Sequence, residues 1–205
     1  QNAWRPSVMM KGQKQVQLVE VETLHRVLDM KVVEDHSVAI DAGAHVGTWA
    51  ALMSVHFNRV IAFQPNPPTY EMLVENTSGL GNVEARCEAV MDKAGPVRVF
   101  ANSPKKTLTG WMVEPDANGA TQAVAIDDLG LETCGLIKLD VEGVELFALQ
   151  GARKTIRRCR PVLVVEIGGL ASRFGHSDRT VHGNVIGLGY RELFRAGVDR
   201  VFVPI

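Results

Sequence analysis

The sequence predicts an α/β fold: a mostly parallel, Rossmann-like sheet with helices on both faces and an antiparallel C-terminal strand. Two observations predict it. From about residue 37 onward, short β-branched runs alternate with longer segments of helical period, the pattern of parallel strands joined by helical crossovers. The first such run, Val38-Ala-Ile-Asp41, leads straight into a turn holding Gly43 and Gly47 and then into a helix, which brings backbone close to a bound nucleotide.

The elements follow in order. Residues 38–41 form a buried first strand, residues 47–56 the helix after it, and residues 60–63 the second strand. Asn66 caps a helix that starts at Pro67, where a missing N–H does no harm, and runs to Asn76. Residues 83–87 make the third strand. Between 97 and 126 the pattern changes: strand-like runs at 97–100 and 123–126 bracket a stretch with Gly and Pro, which predicts an added strand pair or a lid. Residues 136–140 are the most strand-like run of the second half, and one helix over 143–158 follows, with Val144, Leu146, Phe147, Leu149 and Ile156 on helical spacing. Residues 161–166 are another buried strand. The tail holds a helix around 181–188 and antiparallel strands at 190–194 and 201–203. The first 36 residues are expected to pack a strand (16–22) and a helix (23–30) on the sheet.

With 205 residues and 46% hydrophobic content, the chain is long enough for one substantial core and short for two, so 1–205 reads as a single domain. A formal net charge of -1 gives no sequence-wide attraction to nucleic acid or an anionic membrane. Cys87, Cys134 and Cys159 are odd in number and widely spaced, which argues against a disulfide framework or a cysteine zinc site and for a reducing, cytoplasmic setting. No apolar run is long enough to span a bilayer, and the residues after Gln1 lack a charged-then-apolar signal pattern, so a soluble protein without membrane insertion is expected.

The glycine turn separates the candidate cofactors. A dinucleotide fingerprint, G-x-G-x-x-G, needs glycine at position 45, where this chain has His, and a phosphate-binding loop needs a Gly-Lys-Ser/Thr that is absent. What stands is D-x-G-x-x-x-G over Asp41, Gly43, Ala44, His45 and Gly47. It suits S-adenosylmethionine (SAM), a ligand with a zwitterionic amino-acid end and no phosphate, with Asp41 near its ammonium group. Such folds offer a carboxylate to the ribose at the second strand end; here that position is Gln64, with Asn66 two residues on. Glu88 and Ala89, at the third strand end, lie where the adenine ring is expected.

With these segments placed, the sequence resembles the FkbM family of methyltransferases from about Val38 to Ile167. Four blocks carry the resemblance: Ile40-Asp-Ala-Gly-Ala-His-Val-Gly47, Phe63-Gln-Pro-Asn-Pro67, Ile126-Asp-Asp-Leu129, and Ile137-Lys-Leu-Asp-Val-Glu-Gly-Val-Glu145 continuing to Gln150-Gly-Ala152. The family pattern has Glu where this chain has Gln64. The resemblance implies a class I methyltransferase sheet, SAM as cofactor, and O-methylation of hydroxyls on sugars and on sugar-bearing or polyketide natural products.

Methyl transfer from a sulfonium is an in-line displacement, in which positioning supplies much of the rate, and a sugar hydroxyl must also lose its proton to a base or a metal-assisted group. Ligands of open parallel sheets bind at the carboxyl ends of the strands. Asp140, closing its strand, is therefore the first candidate for base or metal ligand, with Glu142 and Glu166 as neighbours. Carboxylates converging there raise one another's pKa or invite a hard cation such as Mg²⁺. Lys138 shares a strand face with Asp140; the pair is either structural or lowers the Asp140 pKa. Asp127 is a second-tier metal candidate whose commoner role is turn or helix capping, and Glu145 reads as an acid favouring the positive end of its helix. His45, His176 and His182 are candidates to contact ligand or act as base, against the commoner role of accommodated loop or surface residues. Trp111, beside Lys105 and Lys106 in the insert, either shapes an acceptor pocket or packs in the core.

Two motifs point elsewhere. Asn66-Pro-Pro-Thr-Tyr70 resembles an adenine amino-methylating signature, but it follows the wrong strand and carries an extra Thr69. The basic run Arg153, Lys154, Arg157, Arg158 and Arg160 lies at a helix carboxyl end, where cations are ordinarily favourable. The competing readings are a non-catalytic partner-binding module with this fold and a nucleic-acid methyltransferase. The expected partner is a small-molecule or glycan hydroxyl acceptor.

Overall fold

The structure is a computed structural model that describes residues 14–101 and 110–205. Its first element is a helix, α1 (Lys14–Asp29), whose Leu24, Val27 and Leu28 sit at helical spacing and pack into the core. This corrects the expected strand at 16–22: the run is helical, and the helix continues through the residues assigned to it separately. The main sheet then forms from β1 (Val38–Ala42), β2 (Arg59–Phe63), β3 (Val83–Arg86), β8 (Leu136–Leu139), β9 (Val162–Glu166), β10 (Tyr190–Ala196) and β11 (Asp199–Pro204). Its order is β10-β11-β9-β8-β1-β2-β3, with β11 antiparallel to both of its neighbours and the other paired strands parallel. The chain moves outward from β1 on one side and later returns to pair β8 on the other, so the switch point falls between β1 and β8.

Alternation along the strands builds two cores. Ile40, Ala42, Ile137, Leu139, Leu163 and Val165 face a layer with α4 (Glu145–Gly151), α5 (Arg153–Cys159) and α6 (Asp178–Gly187). Ala39, Val60, Ala62, Leu136 and Val164 face the other way, against α1, α2 (Thr48–Met53) and, through Leu73, α3 (Pro67–Thr77). Asp41 and Lys138 lie opposite one another in the ladder. Lys138 lies within 5.6 Å of the Trp49 ring, which packs in that second core.

The single helix expected over 143–158 is two helices. Gly151 presses so close to the carbonyl of Met91 that an added Cβ would stand 2.0 Å from it. Just beyond, the Asp127 carboxylate accepts from the N–H groups of Lys154 and Thr155 at 2.9 and 2.8 Å and starts α5 afresh. The 97–126 region is richer than a strand pair. β4 (Glu88–Val90), β5 (Gly95–Ala101), β6 (Trp111–Pro115) and β7 (Thr121–Val124) form a four-stranded sheet; the sequence did not signal β6, and residues 88–90, expected as the end of the third strand, belong to this second sheet. Its own core, Ala89, Met91, Val97, Val113 and Ala123, also takes in Val144 from the turn before α4. Lys105 and Lys106 lie outside the described residues.

Candidate active site

The carboxyl ends of β1, β2, β8 and β9 converge at the switch point. The turn after β1 holds three left-handed positions at alternate residues, Gly43 (φ 84°), His45 (φ 51°) and Gly47 (φ 94°). At Gly43 the requirement is steric: an added Cβ would lie 1.7 Å from the Asp140 carbonyl oxygen. The turn is tied to β2, because Gly43 and Ala44 donate to the Phe63 carbonyl at 3.0 and 2.9 Å, and the His45 N–H donates to Gln64 Oε1 at 3.0 Å. Gln64 is buried with its amide nitrogen left as a donor, the group suited to a ribose hydroxyl.

A buried ladder of charge runs from β1 to β8. Lys138 Nζ stands 3.4 Å from Asp41, 3.1 Å from Asp140 and 3.3 Å from the Gly43 carbonyl. One ammonium thus joins the cofactor turn to both acids. Exposure separates their roles: Asp41 is 0% exposed, Lys138 3%, and Asp140 26%. Asp41 is sealed beneath Lys138, 3.4 Å from its ammonium. Burial pushes its carboxyl above the ordinary range, against the pull of Lys138. Asp140 is the acid at the opening. Burial pushes it up too, but Lys138, a hydrogen bond from Glu166 and the nearby His45 outweigh this and hold it below the usual carboxylate range. Glu166 is the complement: burial, then the Asp140 charge, push it up to about 10, so at neutral pH it is the protonated partner that donates to Asp140.

Glu142 adopts a left-handed backbone (φ 57°), and its half-buried carboxylate accepts from the Gly110 N–H at 3.2 Å, linking the strand end to the insert sheet. Burial, then the charge of Asp140, raise its pKa. Two more acids belong here that the sequence did not place. Glu145 is buried, accepts from the Gly143 N–H at 2.9 Å, and is pushed by burial to about 7. Asp199 stands beside Glu166 in the β9–β11 ladder and is pushed by burial to about 6. A carboxylate in a first helical turn ordinarily has a capping role, and only strand register reveals Asp199.

Other expected residues fall elsewhere. Asp127 serves α5, and among the described residues no group of three or more His, Cys, Asp or Glu side chains is disposed to hold a metal ion. Asn66 holds the N-cap position of α3 without capping it, since its amide donates to Thr69 Oγ1 at 2.8 Å. Glu88 pairs with Arg86 at 3.8 Å, and Ala89 points into the insert core. His182 pairs with Glu192 at 3.0 Å, and His176 packs on Phe147. Arg160 donates to the carbonyls of Leu188 and Gly189, and Arg158 to that of Leu131, so part of the basic run is structural. Trp111 is half-buried at the start of β6.

The turn geometry, the donor at Gln64 and the carboxylates beyond it fit SAM, whose sulfonium and ammonium are cationic and whose ribose needs a polar partner. Fold and site together define a class I SAM-dependent methyltransferase fold. The magnesium protoporphyrin IX methyltransferase of Synechocystis PCC 6803, solved with bound SAM, has this fold at a TM-score of 0.54, with 12% identity over 98% of this chain and 88% of that one. The methyltransferase FkbM domain matches residues 41–192, and the chain belongs to that family. A solved FkbM methyltransferase from Methylobacillus flagellatus KT has a TM-score of 0.53 and 17% identity over 82% of this chain and 43% of that one. The hexuronic acid methyltransferase AglP of Haloferax volcanii is 28% identical over 140 residues, 66% of this chain; the match spans 58% of that relative's length.

Proposed function

We propose that the chain is a SAM-dependent O-methyltransferase acting on a hydroxyl of a sugar or sugar-containing glycan, with sugar acids as the first acceptors to consider. The observation that carries this reading is Asp140: a charged carboxylate open to the site, fixed by Lys138 and by the proton on Glu166. Bound SAM supplies an electrophilic methyl on a sulfonium. The chain's task is to align an oxygen with it and accept one proton.

A carboxylate held at low pKa is a poor base toward a free alcohol. It is nevertheless sufficient here, because the hydroxyl becomes strongly acidic as its oxygen gains the methyl and begins to carry positive charge. Asp140 then orients the O–H as an acceptor and takes the proton late, a contribution of roughly 10²–10⁴ in rate. Lys138 keeps Asp140 ionised and holds the cofactor turn against it. The sugar-acid assignment takes support from the Haloferax relative. Lys138 partly offsets the Asp140 charge and the Glu166 O–H satisfies one of its oxygens, which supports turnover without a divalent ion, and three unbridged thiols suit a cytoplasmic setting.

The test is methyl transfer from labelled SAM to a panel of glucuronides, galacturonides and matching neutral glycosides, with and without EDTA. The reading expects transfer to a sugar hydroxyl, unchanged by EDTA. SAM binding without transfer to any sugar would contradict it, and absence of SAM binding would leave a partner-binding module with this fold.

A further inference from the structure

We infer that Arg173 is the residue that holds the acceptor's carboxylate; this rests on the sugar-acid reading above. The segment after β9 leaves Glu166 through two glycines and forms a short 3-10 turn, Leu170–Phe174. It lies across the site's edge. Leu170 sits on the turn that carries Glu142, where a Cβ on Gly143 would stand 2.9 Å from the Leu170 carbonyl. Phe174 packs edge-on against Phe147 of α4, with centroids 5.5 Å apart.

From this turn Arg173 reaches over to the insert sheet, its guanidinium 5.2 Å from the Phe100 ring. Phe100 pairs with Met112, and Ala101 with Trp111, so Phe100 belongs to the same end of the β5–β6 hairpin as Gly110, whose N–H meets Glu142. Two contacts, Arg173 with Phe100 and Glu142 with Gly110, thus link the strand-end loops to one end of the insert sheet, and Asp140 lies two residues before Glu142.

Electrostatics gives the position its meaning. Asp140 is charged, and Glu142 and Asp41 stand beside it. An anionic acceptor is repelled by that group unless a cation holds its negative end away. Among the described residues, Lys138, Arg98 and Arg173 are cations on the elements around this edge. Lys138 is buried and joined to two acids, and Arg98, on the same Phe100 ring, is paired with Glu114. Arg173 is exposed and has no carboxylate partner among the described residues. A guanidinium beside an aromatic ring keeps its N–H fork free to take a carboxylate through two parallel hydrogen bonds.

The test measures methyl transfer to para-nitrophenyl glucuronide and galacturonide and to the matching glucoside and galactoside. The native chain, Arg173→Gln and Arg173→Lys are compared, with SAM affinity measured in parallel. For Arg173→Gln the KM of the methylated uronide should rise about 30-fold, with kcat and SAM affinity nearly unchanged and neutral glycosides unaffected. Arg173→Lys should fall between. A uronide KM unchanged in Arg173→Gln overturns the inference while the sugar-acid reading stands. A native chain that methylates neutral glycosides but no uronide overturns both.

Discussion

The strand ends on the two sides of the switch point differ in charge. On the β2 side, the turn's N–H groups are satisfied by the Phe63 carbonyl and by the neutral amide of Gln64. On the β8 and β9 side stand Asp140, Glu142, Glu145 and Glu166, with Asp199 across from Glu166 on β11. The difference teaches how the work is divided. In the proposed mechanism, cofactor recognition relies on backbone shape and one amide, whereas charge is gathered where the acceptor gives up a proton. Lys138 spans the two, touching the Gly43 carbonyl and both aspartates.

That division breaks hardest at Gly43. A Gly43→Ala chain must move the turn or Asp140, because the new methyl would meet the Asp140 carbonyl at 1.7 Å with φ at 84°. A loss of ~4 kcal/mol in urea unfolding, together with lost SAM binding, is expected.

Removing the bridge comes next. Lys138→Met leaves Asp41 and Asp140 facing each other without a cation, and should cost about 3 kcal/mol in unfolding free energy. Adding Asp41→Asn should recover part of that loss. A single variant as stable as the native chain would contradict the bridging role.

Glu145 sharpens the comparison through pH. Its folded-state pKa, about 7, lies above the unfolded value near 4.5, so the folded chain holds the extra proton between them. The stability it contributes is full below the lower value and is lost as pH rises through about 7. Glu145→Gln keeps an acceptor for the Gly143 N–H and removes the ionisation. Thermal unfolding should show it more stable than the native chain at pH 8 and little different at pH 4.

The smallest effect belongs to Gln64→Glu. A carboxylate there still accepts from the His45 N–H and strengthens a bond from a ribose hydroxyl, so SAM affinity should rise about fivefold by calorimetry.

Much of this was legible in the sequence, and the rest for physical reasons was not. The 38–42 and 136–139 strands stood out because they are short apolar runs, broken only by Asp41 and Lys138, that are buried on both faces, and the Lys138–Asp140 contact followed from strand alternation alone. The strand after Gly110 did not stand out, since β6 mixes Trp, Met, Val, Glu and Pro and owes its form to pairing with β5. The break between α4 and α5 depends on Asp127 reaching across 27 residues, a contact that periodicity does not record. The acceptor side was only half visible. Asp140, Glu142 and Glu166 announced themselves at strand ends, but the burial of Glu145 and the register of Asp199 arise from packing.

The most direct test of the division between binding and chemistry is SAM affinity measured on Asp140→Asn beside its turnover. The account predicts affinity within about threefold of native and a methyl-transfer rate lower by roughly 10³. Affinity lost in step with turnover would place Asp140 in cofactor binding and contradict it.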